Sequence, residues 1–402
     1  MIPVVDLGEF AVSGFYSEPN AEVQRAPLRL GIGEESGLLQ LMDSIDRAPL
    51  YKTYWYRSGT NSTMRRQLLD VVDNALQWIR INDGDVVLDI GCNDGTLLSC
   101  YPSNFNLIKA GIDPAENLAR EARRLCTHHA ADYFTSDLFL SLTGGRKAKI
   151  ITSIAMFYGL EDPLRFVADI KESLEDDGVW VLQLSYTPLM IIQNAFDNIC
   201  HEHIEYYTLL SLLYLLKKCD LKPIDVQFND TNGGSFRVII VKSSNKVRNI
   251  PVFQRDIGHY RVESTINYER AQHLDDPSLY KDYMQRLLEL KRATVSLITG
   301  LHKEGKRVMG YGASTKGNTL LQFYGLGPDM IESIAERQPS KYGLYTAGTW
   351  IPIVSEDEMR KRMPDYLLVL PWHFINEFMD RERDFARNGG RFIIPLPQLQ
   401  VV

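Results

Sequence analysis

Asp85-Val86-Val87-Leu88-Asp89-Ile90-Gly91-Cys92-Asn93-Asp94-Gly95-Thr96-Leu97-Leu98 is the stretch whose reading decides the fold. The apolar run Val86 to Ile90 suits a strand buried on both faces of a parallel sheet. Gly91 and Gly95 then turn the chain into an apolar, helix-compatible segment. Strand, glycine turn and helix open a doubly wound α/β domain, where ligands bind beyond the carboxyl ends of the strands. A β-carbon in such a turn would hinder both the bend and the close approach of a ligand.

The loop chemistry narrows the ligand. A dinucleotide loop reads G-x-G-x-x-G and crowds backbone amides around a pyrophosphate. Here the spacing is Gly91-x-x-x-Gly95, with Asp89 and Asp94 nearby and no Lys. Two carboxylates repel phosphate and suit a ligand with an amine, a sulfonium and ribose hydroxyls. Leu107-Ile108-Lys109-Ala110-Gly111-Ile112-Asp113 reads as a second strand ending in an acid, 22 residues after Gly91. That is a distance at which an acid can accept from ribose hydroxyls. The pattern resembles motif I and the following acidic position of class I S-adenosylmethionine (SAM) methyltransferases. The resemblance implies SAM as cofactor, held by Asp89, Gly91, Asn93, Gly95 and Asp113.

The 402 residues suggest two or three domains, and 45% hydrophobic residues can bury large cores. The net charge of −7, with both signs interspersed, does not favour nucleic acid. No apolar run approaches a bilayer span, and Met1-Ile2-Pro3-Val4-Val5-Asp6 lacks a signal-peptide pattern. Five scattered cysteines without a C-x-x-C pair fit a reduced compartment, so a cytoplasmic protein is expected.

In chain order, residues 1 to about 65 read as irregular, with Leu38-Leu39-Gln40-Leu41 as the clearest strand. Tyr51-Lys52-Thr53-Tyr54-Trp55-Tyr56-Arg57-Ser58-Gly59-Thr60-Asn61-Ser62-Thr63 combines an aromatic wall with hydroxyls and an Arg. Tyr56 and Ser58 are candidate cofactor contacts, and the alternative is an aromatic cluster under a loop. Met64 to Ile81 carries helical spacing. Tyr133 and Phe134 stand where a third strand should end and could flank an adenine or simply be core. Strands are expected at Lys149–Met156 and, after an Asp176-Asp177-Gly178 turn, at Val179–Leu184. Alternation of this kind argues for a mostly parallel sheet. A charge-rich helical bridge covers 251–300. A second α/β unit then begins at Arg307-Val308-Met309-Gly310-Tyr311-Gly312-Ala313-Ser314-Thr315-Lys316-Gly317-Asn318-Thr319. Its turn holds hydroxyls and a Lys but no acid, which suits a phosphate or diphosphate at a helix N-terminus.

Cys200-His201-Glu202-His203, followed by Tyr206 and Tyr207, is the second informative run. H-E-H is one residue short of any zinc spacing. A surface turn fits poorly beside Ile199, Ile204 and Leu209. An acid/base cluster fits best, since a neutral imidazole with a carboxylate and phenols nearby can take a proton from carbon.

Taken with Val4-Val5-Asp6-Leu7-Gly8, Tyr54-Trp55-Tyr56-Arg57-Ser58-Gly59-Thr60 and Leu370-Pro371-Trp372, these runs resemble the SAM-dependent sugar C-methyltransferases that act on nucleotide-linked keto-deoxysugars. The likeness covers nearly the whole chain, and the H-E-H and G-Y-G-A-S-T-K-G-N-T runs are its most specific parts. It implies an α/β fold with a class I SAM-methyltransferase Rossmann-like domain at 64–245. A small irregular N-terminal substrate-contacting domain at 1–63 precedes it, and a helical bridge with a C-terminal Rossmann-like domain at 246–402 follows. His203 would be the base, Glu202 its partner and Tyr54 a further catalytic contact, with His201 as the rival base. An NDP-sugar would meet Tyr311, Ser314, Thr315, Lys316, Asn318, Arg337 and Trp372. O-methylation, or an inactive nucleotide-sugar-binding homologue, are the alternative functions.

The chain departs from that family in two respects. The N-terminal zinc module, two C-x-x-C pairs, has lost all four ligands: the chain starts after the first pair, and Gly33-Glu34-Glu35-Ser36 replaces the second. No structural metal is therefore expected. Asn232 stands where a His is expected before Gly233-Gly234-Ser235, and Glu336-Arg337-Gln338-Pro339 replaces D-R-N-P, which touches substrate identity.

Overall fold

The computed structural model describes residues 1–46, 54–60, 62–246 and 250–402. Tyr51, Lys52, Thr53 and Asn61 of the aromatic stretch lie outside the described residues.

The N-terminal segment is not irregular. It forms β1 (Ile2–Ala11), a short β2 (Phe15–Tyr16), β3 (Arg25–Ile32) and β4 (Leu39–Leu41), with β1, β3 and β4 antiparallel neighbours in one sheet. The alternation that would betray β1 is broken by register shifts between Pro3 and Val5 and between Asp6 and Glu9. Each extra residue flips the side-chain order, so the period of two is lost. Pro27 interrupts β3 in the same way for a reader of propensities. Gly33-Glu34-Glu35-Ser36 is the turn between β3 and β4, closed by the Gly33 N–H to Leu38 O bond of 2.9 Å.

The central sheet follows the expected order. Its strands are β5 (Val86–Ile90), β6 (Ile108–Ile112), β7 (His128–Ala130), β8 (Ala148–Ile154) and β9 (Leu174–Ser185). β10 (Glu205–Tyr206) leaves this sheet to pair with β4, and the hairpin β11 (Leu221–Asn229) and β12 (Ser235–Lys242) completes it. The order is β11-β12-β9-β8-β5-β6-β7, in which only β12 runs against the others. Asp176-Asp177-Gly178 falls inside β9 as a register irregularity, not as a turn before it. Lys242 and Lys149 pair with Asp176 and Asp177 at 2.8 and 2.6 Å.

The bridge is two helices, Val252–Gln272 and Pro277–Lys303, separated at His273, which takes φ 48°. The second α/β unit contains β13 (Val308–Tyr311), β14 (Ile334–Glu336), β15 (Tyr345–Thr346), β16 (Ile353–Ser355), β17 (Tyr366–Val369), β18 (Arg391–Ile394) and β19 (Gln400–Val401). Its sheet runs β16-β14-β13-β17-β18-β19, parallel except for the last strand. β15 pairs with β2, so the N-terminal segment is stitched to this unit as well.

One core joins what the sequence divides. Val5, Leu7, Phe10, Leu28 and Leu30 of the N-terminal sheet pack with Phe196 and Ile199, with Tyr283 and Leu287 of the bridge, and with Leu320 and Ile334 of the C-terminal unit. Among the described residues no helix is long and apolar enough to cross a membrane. Nor is any group of three or more His, Cys, Asp and Glu side chains there arranged to hold a metal ion. Sheet pairing and apolar packing join the N-terminal segment to the rest of the molecule. Leu30, fully buried in that shared core, is its test. Leu30→Ala should cost about 2–5 kcal/mol, read as a fall in the urea midpoint.

Candidate active site

At the end of β5 the chain takes left-handed conformations at Gly91 (φ 72°), Asn93 (φ 52°) and Gly95 (φ 81°). This winds the loop around Asp113, whose two oxygens accept the Asn93 and Ala115 N–H groups, both at 2.8 Å. Burial raises the Asp113 carboxyl while these amides pull it back down. Asp89 lies deeper, 3% exposed, and accepts the Thr152 hydroxyl at 2.6 Å. Burial lifts it to about 7, against the pull of that hydrogen bond. The two acids therefore build the loop.

Residues 54–60 lie across this loop. Ser58 N–H donates to Asn93 Oδ1 and Asn93 Nδ2 to Tyr56 O, each at 3.0 Å. Gly59 N–H reaches Asp94 Oδ2 at 2.8 Å, and a β-carbon at Gly59 would come within 2.9 Å of Thr96 Oγ1. Only glycine permits that approach. Tyr54 is fixed by reciprocal backbone bonds with the Asn117 amide at 3.0 Å, and Arg57 pairs with Glu121 at 3.0 Å. Tyr56 and Ser58 therefore do border the expected cofactor loop, and Tyr54 sits on that side too. Asn117 and Glu121, which help hold the strap, were not singled out from the sequence because their partners lie 63 and 64 positions away, while Asp94, read there as a ligand-side acid, accepts the Gly59 N–H. The aromatic pair divides: Phe134 packs edge-on against Phe166, while Tyr133 is 53% exposed.

The H-E-H run enters on the 3₁₀ turn Phe196–Asn198 and docks on the loop after β8, with Ile204 N–H donating to Tyr158 O at 2.9 Å. Its two histidines separate. His201 is buried, and its Nε2 sits 3.1 Å from Ala26 O in the N-terminal sheet. His203 Nδ1 lies 3.0 Å from Asn198 O. A carbonyl can only accept, so Nδ1 carries the hydrogen and Nε2 keeps its lone pair. The ring leans on Tyr158, centroids 4.1 Å apart, and lines a cavity with Ser185, Asn198, Glu205 and Tyr206. Burial, and then the Lys316 cation, push His203 down to about 3. Glu202 is buried, which raises it to about 7. Glu205, which shares the cavity and accepts the Tyr207 hydroxyl at 2.6 Å, was missed because nothing in its spacing distinguishes it.

The C-terminal unit meets this region directly. Lys316 Nζ donates to Asn198 Oδ1 at 2.6 Å, and Trp372 Nε1 to Asp197 Oδ2 at 3.1 Å. The Asn232 turn joins them, its carbonyl 3.5 Å from Lys316 Nζ and Gly233 against the Trp372 ring. Other residues of the Gly-rich turn face inward. Tyr311 is 1% exposed with its hydroxyl 2.7 Å from Glu382, so it belongs to its own domain's core and not to the junction. Ser314 caps its helix by accepting the Gly317 N–H, and Asn318 Nδ2 donates to Gly14 O. Thr315 accepts from Ser13 through its carbonyl. The turn is not free of acid, as it reads in sequence: Glu336, from the end of β14, accepts the Ala313 N–H at 2.8 Å. Arg337 is exposed, and Gln338 Nε2 donates to Trp55 O at 3.0 Å.

Two measurements probe this geometry. Asp113→Ala should weaken SAM binding by about 1–3 kcal/mol through loss of charge-assisted bonds and loosening of the loop, read by calorimetry. Glu202, raised above its unfolded value, holds a proton that the unfolded chain releases. Its contribution to stability is complete below the ordinary Glu range and is lost as pH rises through about 7. The urea midpoint should therefore fall as pH rises from about 4.5 to about 7, and Glu202→Gln should flatten that fall.

The chain matches two domain families, a methyltransferase domain over residues 60–226 and a C-methyltransferase C-terminal domain over residues 230–397. The boundary between them falls within the β11–β12 hairpin, which the sheet shows to be part of the methyltransferase unit. C-methyltransferase NovU of Streptomyces niveus is 29% identical over 377 residues, 94% of this chain and 87% of its own length. Sphingolipid C9-methyltransferase A of Emericella nidulans is 26% identical over 165 residues, 36% of this chain and 32% of that protein. Among solved structures, a SAM-dependent methyltransferase from Clostridium acetobutylicum aligns at 14% identity over 45% of this chain and 92% of its own, with a TM-score of 0.37. With a SAM-type loop and sheet in the middle and a dedicated C-methyltransferase unit packed on them, the chain belongs to the SAM-dependent C-methyltransferases.

Proposed function

We propose that this enzyme methylates a carbon next to the ketone of a nucleotide-diphosphate-linked deoxysugar, with His203 as general base. The observation that carries the reading is the His203 ring itself. Its Nδ1–H is committed to Asn198 O, and it lines a small cavity of the methyltransferase unit with Tyr158, Ser185, Glu205 and Tyr206. SAM supplies an electrophilic methyl carbon when bound. Carbon is a poor nucleophile until the adjacent C–H bond breaks and its electron pair delocalises into the ketone as an enolate. His203 Nε2 takes that proton, and the enolate carbon would then bond the methyl carbon as its bond to the sulfonium sulfur breaks, the electron pair leaving with sulfur as a neutral thioether. An imidazole held near 3 is a weak base alone. It gains the proton only as the enolate anion develops beside it, where the two new charges stabilise each other. Placement of ketone, base and methyl carbon together would supply the rest of the barrier reduction.

The sugar reading is supported by the motif resemblance over the whole chain and by the convergence of its parts. The H-E-H run, the Gly-rich turn, the Asn232 turn and Trp372, scattered over residues 197–372, meet at one junction. Tyr54, Thr315 and Arg337 are candidate sugar-nucleotide contacts on the motif resemblance alone. A soluble, cytoplasmic biosynthetic enzyme is the setting we infer. Deuterium washout from the carbon next to the ketone, without methyl transfer, tests the mechanism. His203→Asn should abolish exchange, a loss of about 10²–10⁴ in rate, while SAM still binds. His201→Asn, whose ring serves Ala26 O, should retain most of it. Product NMR showing an O-methyl in place of a C-methyl group would overturn the carbon nucleophile.

A further inference from the structure

We infer that Lys316, from the C-terminal unit, is a positioning residue for the His203 base and acts on it through Asn198; this rests on the reading of His203 as the base. The connection is two hydrogen bonds long. Lys316 Nζ lies 2.6 Å from Asn198 Oδ1, and the backbone carbonyl of the same Asn198 accepts His203 Nδ1–H at 3.0 Å. The Asn198 amide is fixed from its other end, since Nδ2 donates to Ala195 O at 3.1 Å. A flipped amide would set its NH₂ against the ammonium and its oxygen against a carbonyl, so the cation also holds the amide in register. Tyr206 adds a longer bond to the same carbonyl at 3.4 Å.

The arrangement does more than join two domains. An apolar side chain of Lys316's length would fill the junction without the cost of desolvating an ammonium. The charge that is kept stands among groups that feel it. Burial lowers Lys316 while Asp197 lies close enough to oppose its deprotonation, and His203 and His373 are both disfavoured as cations by it. Asp197 uses one oxygen for Trp372, and the other is buried without a hydrogen-bond partner, as is His373 Nδ1. On its other side His203 faces Tyr158, Glu205 and Tyr206 in the cavity, with Glu202 as its sequence neighbour. Two consequences follow for the base. The tautomer is set, with Nε2 directed away from Asn198, and the ring is kept neutral until an anion forms beside it. Since the Lys316 stem belongs to the helix Thr315–Tyr324, the base is set only when the C-terminal unit is seated.

The test compares Lys316→Met and Lys316→Arg in the full chain, by ¹⁵N NMR of histidine ring nitrogens and by deuterium washout against pH. In the parent protein His203 should be the Nδ1–H tautomer and stay neutral to the lowest pH at which the chain is folded. Removal of the cation should raise the His203 midpoint by about one unit or more, toward the ordinary value. Mixed tautomers should appear, and washout should fall about tenfold or more, most steeply at low pH. Lys316→Arg should restore tautomer, midpoint and most of the rate, with SAM affinity unchanged in both variants. An unchanged tautomer and midpoint in Lys316→Met overturns the inference, as does a pH-independent loss that Arg fails to rescue. Failure of the base reading is read separately: His203→Asn would then exchange like the parent, while the ring-nitrogen spectra still report whether Lys316 sets His203.

Discussion

Asn198 accepts on two sides, a histidine N–H on its backbone carbonyl and a lysine ammonium on its side-chain oxygen, and the functional arrangement of this enzyme depends on that double contact. It lies 1 residue after a buried Asp and at the end of a 3₁₀ turn whose Phe196 packs against Phe323 and Tyr324 of the C-terminal unit. The turn therefore belongs to two domains at once. Displacing the C-terminal helix would move Lys316 and Phe196's partners together, and with them the carbonyl that orients the His203 ring.

The junction is a place of opposed electrostatics. Burial pushes Asp197 up and Lys316 down, and each one's charge pulls the other back toward ionisation. Neither is a cheap residue to bury, and a buried ion pair is weak support for stability by comparison with apolar packing. What stabilises the region is the apolar core shared by the N-terminal sheet, the bridge and the C-terminal unit. The polar groups are carried within that frame, where a low local dielectric makes their orientation and charge consequential.

The N-terminal segment is tied to the H-E-H run by strand pairing. Its sheet gains a fourth strand, β10, from the residues just after the H-E-H run, and its Ala26 carbonyl takes His201. The strand pairing thus fixes one histidine and leaves the next to the cavity. The strap at residues 54–60 extends the same segment over the SAM loop, and its Trp55 carbonyl receives Gln338 from the far domain.

The order of β5, loop and β6, the helical bridge and the second α/β unit were legible because short-range physics governs them. Buried parallel strands are continuous apolar runs, helices repeat at 3.6, and the left-handed turns at Gly91 and Gly95 call for glycine. The acids of the Gly91–Gly95 loop and the H-E-H run stood out in the sequence as polar groups concentrated in a few consecutive residues. β1 and β3 were not legible, because two bulges and Pro27 destroy the alternation that would reveal them. Nor could the sequence say which histidine faces the cavity, that Tyr311 turns to Glu382, or that Glu336 comes back to the turn at Ala313. Least of all could it place Lys316 against Asn198, 118 positions away. Those contacts are made only when separate elements share a core, and a side chain's partner is then set by packing and not by its neighbours along the chain.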